Sequence, residues 1–434
     1  MTHPILSPAT YPPSHRWKVL AAGVAANAAF SVAFSGIPMT AVLMRTGYHL
    51  DNATLGLVLG LMGLGIAVSE LPWGLLTDRW GDRPVLLTGL CSTAAALVAM
   101  ALWAAPGAQH IPALGWLGGG LLLVGLLGGS VNGASGRAVM TWFEAGERGL
   151  AMSIRQTAVP LGGGIGALVL PFVALHFGFA ALYGLLALLC ALAAAMSWAW
   201  VHEPPLAPRA KPAETSGAPK GSGPLHDARV WRIVAGIGIL CAPQFAVLSF
   251  GTVFLHDFGH AGLATITATM VLVQIGAMLM RVWSGRWTDR RRNRPAYLRA
   301  CSALSALLFA VLAALVMAAG THAADSPALR IALVVLLAAS GVCVSAWHGV
   351  AYTELATLAG AARAGTALGM ANTSVFLVCF VTPFSIPHLL ALQGWPLVWL
   401  AASACALMAM PLLVPRAARN DDQKLAKTAL SRST

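Results

Sequence analysis

Gly74-Leu75-Leu76-Thr77-Asp78-Arg79-Trp80-Gly81-Asp82-Arg83-Pro84 decides the fold, because it has a partner. Gly285-Arg286-Trp287-Thr288-Asp289-Arg290-Arg291-Arg292-Asn293-Arg294-Pro295 repeats its Gly, Asp, Arg, Arg and Pro in register, with 211 residues between Gly74 and Gly285 and again between Pro84 and Pro295. Each copy is wedged between two long apolar runs. A chain that carries one charged loop twice at one spacing consists of two related halves.

Composition then fixes the solvent. Apolar residues make up 58% of the 434, charged ones 10%, and the mean hydropathy is +0.74. So little charge cannot cover a water-soluble surface, so apolar side chains face lipid as well as core. Runs of about 20 apolar residues cross about 30 Å of hydrocarbon as helices, and unbroken runs without alternation exclude a barrel. We read an all-α membrane protein with twelve transmembrane helices: Trp17 to Met44, Ala53 to Trp73, Val85 to Ala105, Leu114 to Thr141, Gly149 to Leu175, Phe177 to Val201, Val230 to Leu255, Gly262 to Trp283, Ala296 to Gly320, Ala328 to Tyr352, Gly365 to Leu390 and Trp395 to Val414. They form two pseudo-symmetric six-helix bundles, residues 17–201 and 230–414. Residues 202–229 are a polar linker rich in Pro, Gly, Ser, Lys and Arg, and 1–16 and 415–434 are polar tails.

Positive charge orients the bundles, since Lys and Arg stay on the cytoplasmic side of short loops. With both termini and the linker in the cytoplasm, every Lys and Arg lies on or near that side except Arg45 and Arg330. The net charge of +12 is therefore a topological signal with some attraction to anionic lipid, and it calls for no nucleic acid. The seven cysteines are scattered singly through the spans, without the spacing of a metal or redox centre, and no metal or cofactor is expected.

The chain resembles the major facilitator superfamily of secondary transporters. The resemblance is carried by Gly74-x-Leu76-x-Asp78-Arg79-x-Gly81-x-Arg83, close to that family's signature Gly-x-Leu-x-Asp-Arg-x-Gly-x-Arg/Lys, and it covers essentially the whole chain. In the second copy Arg292 stands where the later Gly belongs. The resemblance implies alternating access by rocking of the two bundles, with Gly74, Asp78, Arg79, Arg83, Asp289, Arg290 and Arg294 as gating residues. It also implies that Asp78 holds the outward-open state against the start of the eleventh helix, near Arg363 and Gly365. A second echo joins the gate: Glu144, Arg148 and Gly149 before the fifth helix answer to Glu354, Arg363 and Gly365 before the eleventh.

Ionisable groups inside a membrane are costly and mark function. Arg137, Arg155 and Arg281 lie within the spans, whereas Glu70 and Glu354 are the acids found there, both near span ends. Arg155 sits some six residues into its helix, roughly 9 Å deep, where snorkelling is difficult. Its guanidinium can receive a substrate carboxylate bidentately, the alternative being a structural pair with Glu144 or a helix carbonyl. Arg281 holds the place of Glu70 in the repeat and is read as part of an inner gate. Asn27, Asn132, Gln244, Trp347 and His348, on helices one, four, seven and ten, join Arg155, Gln156 and Asn372 as candidate substrate-binding residues, with His348 able to titrate near neutral pH.

The expectation is a transporter of the cytoplasmic (inner) membrane, acting as a monomer, that moves a small organic anion such as a carboxylate with protons as coupling ion. Pro160-Leu161-Gly162-Gly163-Gly164 approximates an element of proton-driven drug antiporters, so an efflux antiporter for hydrophobic compounds is the alternative. An enzyme is not expected: no nucleophile with its base, paired midplane acids, metal spacing or ATP-binding loop occurs.

Overall fold

Backbone amides in a chain this apolar find few partners except their own carbonyls, and in the computed structural model every regular element among the described residues is accordingly a helix. It describes residues 11–12, 14–107, 110–143, 147–202, 224–320, 326–359 and 364–413. Among these, eleven helices are long and apolar enough to span a membrane, and one of them is two spans in series. In Ala158–Trp200 the backbone leaves helical geometry at Gly178 (φ 78°), which divides it into 158–177 and 179–200 and brings the spans to twelve.

We number the spans in chain order. The first bundle contains α1 (His15–Gly47), α2 (Asn52–Trp80), α3 (Asp82–Trp103), α4 (Leu114–Trp142), α5 (Arg148–Gln156 continuing through 158–177) and α6 (179–200). The second contains α7 (Ala228–Asp257), α8 (Leu263–Arg291), α9 (Arg294–Ala319), α10 (Pro327–Ala359), α11 (Ala364–Gln393) and α12 (Trp395–Leu413). The two charged loops are therefore shorter than the hydropathy pattern implies: α2 runs seven residues past Trp73 and α8 eight past Trp283 before either helix ends.

The repeated loops turn on left-handed residues. Gly81, between α2 and α3, has φ 86° and ψ 172°, a region essentially reserved for glycine. Arg292, its counterpart between α8 and α9, instead takes the left-handed helical conformation (φ 52°, ψ 35°), which an L side chain tolerates at a cost of roughly 1–2 kcal/mol. The second copy of the signature thus does without its glycine by using a different turn. At the opposite end of α2, Asp51 caps the helix by accepting from the Thr54 amide (2.7 Å), and that bond holds its carboxyl below the usual range.

Small residues set the helix spacing. Gly36 of α1 and Gly166 of α5 meet so closely that a Cβ built on Gly36 would lie 2.8 Å from the Gly166 Cα. Gly125 of α4 presses on the Met62 carbonyl of α2 in the same way (2.1 Å). The bundles meet along α2–α11 and α5–α8. Gly56, Gly60 and Gly63 face Pro383, Phe380 and Cys379, while Gly163 makes room for Gln274. Phe34 of α1 packs between Phe245 of α7 and Phe376 of α11, with ring centroids 5.6 Å away in both cases.

One face of the molecule is clasped across the bundles. Arg45, at the end of α1, pairs bidentately with Asp257, at the end of α7, and also donates to Asn52 (3.1 Å). His256 contacts the same carboxylate (2.7 Å). On the face that carries the two basic loops, Cβ atoms built on Gly74 and Gly285 would meet nothing within 4 Å. Among the described residues the contacts between the bundles named here run from the Arg45 face to the level of Glu70 and Asn372, and neither repeated glycine at the basic face takes part in them.

Candidate functional site

At the level of Glu70 and Asn372, two helices break in register. The α4 helix is interrupted at Gly129 and α10 at Ser345–Trp347. These points, and with them Asn132 and His348, differ by the same 216 residues that separate Gln156 from Asn372. Interrupted helices at the repeat interface free backbone groups and expose polar side chains where a substrate would lie.

The first bundle contributes a cationic corner. Arg155 is 6% exposed, and its Nη1 donates to the Ser135 hydroxyl (3.0 Å). Asn27 Nδ2 donates to the same oxygen (3.3 Å), which in turn donates to the Val131 carbonyl (2.6 Å). Arg155 Nε is buried without a hydrogen-bond partner among the described atoms. The carboxyl nearest in charge to Arg155 is Glu70, on α2. Among the described residues the hydrogen-bond partner of Arg155 is thus a hydroxyl rather than a helix carbonyl, and the facing anion comes from a different helix; Glu144, the other partner considered from the sequence, lies outside the described residues.

Glu70 reaches across the midline. Its Oε1 accepts from Asn372 Nδ2 (3.2 Å), and Asn372 Oδ1 accepts from the Tyr352 hydroxyl (2.9 Å). The amide of Asn132 faces the same carboxyl, while Oε2 is buried and unpartnered. In the second bundle Arg281 Nε approaches the Ser345 carbonyl at the α10 break (3.5 Å), with Tyr352 beside it. His348 stacks on Trp347 (3.8 Å, 19°) and lies near Arg281. Gln244 Oε1, Trp347 Nε1 and His348 Nδ1 are buried atoms without a hydrogen-bond partner among the described residues. Buried polar atoms are almost always satisfied in a finished core, so these unmet donors and acceptors make the region the candidate binding site.

The predicted site residues thus mostly converge. Arg155, Asn27, Asn132 and Asn372 form one connected polar network together with Ser135, Glu70 and Tyr352; Gln244 and Trp347 are buried on the helices of the second bundle and His348 is half-buried there. Gln156 is exposed and outside the network. Of the gating residues, Arg83 donates to the Trp198 carbonyl (2.9 Å) and stacks over that indole, and Arg294 pairs with Asp289 (2.8 Å) and reaches Thr357 (3.5 Å). Those contacts stay within a bundle. Arg79 and Arg290 are exposed, and Glu354 is half-buried. The side chains of Asp78 and Arg148, and residues Glu144 and Arg363, lie outside the described residues. A groove of about 1320 Å³ between α8, α9 and α10 is lined by apolar residues such as Leu272, Trp283 and Leu304, exposed on the outer surface, and does not include this network.

Two six-helix bundles meeting at a polar, helix-broken midplane have the build of a secondary transporter. Residues 21–319 match the family model described as Major Facilitator Superfamily, and the chain belongs to that family. It is 30% identical over 401 residues to a protein of Mycobacterium tuberculosis strain H37Rv described as the uncharacterized MFS-type transporter Rv2994, covering 92% of this chain and 85% of that one. Among solved structures, a D-xylose-proton symporter superposes with a TM-score of 0.71 at 15% identity, over 92% of this chain and 98% of the symporter. The POT family transporter PepTSo gives 0.71 at 14%, over 93% and 97%. The protein is a multi-pass membrane transporter and not an enzyme.

Proposed function

We propose that this transporter carries a small organic anion, a carboxylate, across the cytoplasmic membrane with protons as coupling ion, both termini lying in the cytoplasm. The observation that carries the reading is a surplus of positive charge at the midplane: the guanidiniums of Arg155 and Arg281 stand against the single carboxyl of Glu70 among the described residues of this region. An uncompensated buried cation costs several kcal/mol, and an anionic substrate removes that cost on binding. Asn27, Asn132, Ser135 and Asn372 add hydrogen-bonding groups beside these charges, which suit a carboxylate better than the hydrophobic compounds of a drug antiporter.

The test is uptake of a panel of labelled carboxylates into liposomes containing the protein. Arg155→Gln should abolish uptake of the anion that the wild type carries, and Arg155→Lys should retain part of it, because a point charge keeps the attraction but loses the bidentate fork. Unchanged transport in Arg155→Gln would remove the anion assignment.

A further inference from the structure

Glu70 is the one acid of the described midplane, and three features set it apart. It lies ten residues before the end of α2, roughly 15 Å in from the basic face. One of its oxygens is bonded across the bundle interface to Asn372 of α11, while the other is buried with no hydrogen bond within range among the described residues, the Asn132 side chain facing the carboxyl. It is also the counter-charge of Arg155, the guanidinium assigned above to the substrate. The groups that face it are Asn132 from α4, Arg155 from α5, and Asn372 and Tyr352 from α11 and α10. Arg281 of α8 and the thiols of Cys241 and Cys379 surround Tyr352 in turn. Nearer the basic face, Arg137 of α4 is engaged elsewhere, with the Thr77 carbonyl and Asp82.

An ionised carboxylate held out of water at the bundle interface is at a disadvantage that a proton removes, and the protonated form gains an O–H donor that can be aimed at the Asn132 side-chain oxygen. Protonation has a second effect: it uncovers the charge of Arg155. With Glu70 ionised, Arg155 is neutralised and repays a substrate carboxylate poorly. With Glu70 neutral, the guanidinium is free to take that carboxylate.

We propose, resting on the anion reading above, that Glu70 is the residue that carries the coupled proton, competing with the substrate's carboxylate for Arg155 and transmitting its charge to α11 through Asn372. The proton adds to a carboxylate oxygen of Glu70 and leaves from it again, with no other bond made or broken. Charge balances as well. The empty site has two guanidiniums and one carboxylate; the loaded site has two guanidiniums, a neutral carboxyl and the substrate anion. Both carry the same net charge, whereas a site holding only the proton or only the anion differs by one unit. Full and empty forms therefore rock with equal ease, and the half-loaded forms do not.

Two measurements on the full-length chain decide this. The first is infrared difference spectroscopy across a pH series without any substrate, reading the C=O stretch of a buried protonated carboxyl. The wild type should show such a band on acidification, Glu70→Gln should lack it, and Glu70→Asp, which keeps the acid should the amide variant fold poorly, should show it at a displaced midpoint. A band that persists in Glu70→Gln, or its absence from the wild type, overturns the proposal. The second is proton uptake in unbuffered detergent solution on addition of formate, lactate, succinate or benzoate. The wild type should take up one proton per anion bound, and its affinity should fall about tenfold per pH unit above the midpoint, as linkage to one proton requires. Glu70→Gln should bind the same anion with a pH-independent affinity and no proton uptake; uptake retained in that variant overturns the competition. Failure of every anion to bind the wild type would instead sink the anion reading, and the infrared result would still decide whether Glu70 holds the proton.

Discussion

Ser135 carries more of the site than its size implies. A hydroxyl has one donor and two acceptor positions, and all three are in use, towards the Val131 carbonyl, Arg155 and Asn27. Ser135→Ala strands both donors in a buried setting, at a cost of about 1–3 kcal/mol. The expected outcome is a lower melting temperature of the detergent-solubilised protein, together with about tenfold weaker binding of the transported anion, whereas Ser135→Thr keeps both. Equal melting and equal binding in the alanine variant would show that the hydroxyl does not orient Arg155. This residue was not legible in the sequence, because a serine in a membrane helix most often bonds its own backbone. Its one signal was its place one turn beyond Asn132 on the same helix face. Arg155, by contrast, stands out from sequence alone, since few features of a membrane helix cost as much as a buried guanidinium.

At the scale of helices, glycines decide which surfaces touch. Gly56, Gly60 and Gly63 repeat on one face of α2 and bring it against the α11 backbone, where a Cβ on Gly56 would lie 2.1 Å from the Pro383 carbonyl oxygen. That atom belongs to the main chain and cannot swing aside. Gly56→Leu should therefore wedge α2 from α11 and disfavour the state closed on the Arg45 face, with overpacking of about 1–3 kcal/mol. Spin labels at Ala53→Cys and Gln393→Cys, both exposed ends of these two helices, would report it as a longer distance than in the parent; an unchanged distance would mean that the glycines are packing filler. The twelve helices themselves follow from hydropathy. Their breaks at Gly129 and Ser345 do not, since no proline marks either point, and the turn at Arg292 shows how a degenerate motif keeps a turn between its helices by changing backbone region.

For the whole molecule, the charge map read from sequence left Arg45 as an anomaly on the wrong side, and the structure supplies its reason: it pairs across the bundles with Asp257. Its partner is not legible in the sequence, because the apolar run of α7 ends at Leu255, two residues short of Asp257, and because a contact over 212 residues depends on how two bundles sit together, which periodicity within either cannot reveal. The Glu70–Asn372 bond, spanning 302 residues, was hidden for the same cause. The Arg45 and Asp257 side chains are 22% and 28% exposed, so solvent and salt screen the clasp only in part, and a bidentate pair there contributes on the order of 1–2 kcal/mol to the state that holds it. Removing either charge, by Arg45→Ala or Asp257→Ala, should shift the balance between closed and open forms of this face by about tenfold or somewhat more, seen as a second, longer population between the labels at positions 53 and 393. The exchange of charges, Arg45→Asp with Asp257→Arg, should recover much of the short population, because the attraction is restored whichever bundle carries the cation, although Asn52 and His256 no longer complement it. A double exchange that opens the face as far as the two single reversals added together would mean that the pair is an incidental surface contact, and that the rocking motion is held on this side by the glycine seam alone.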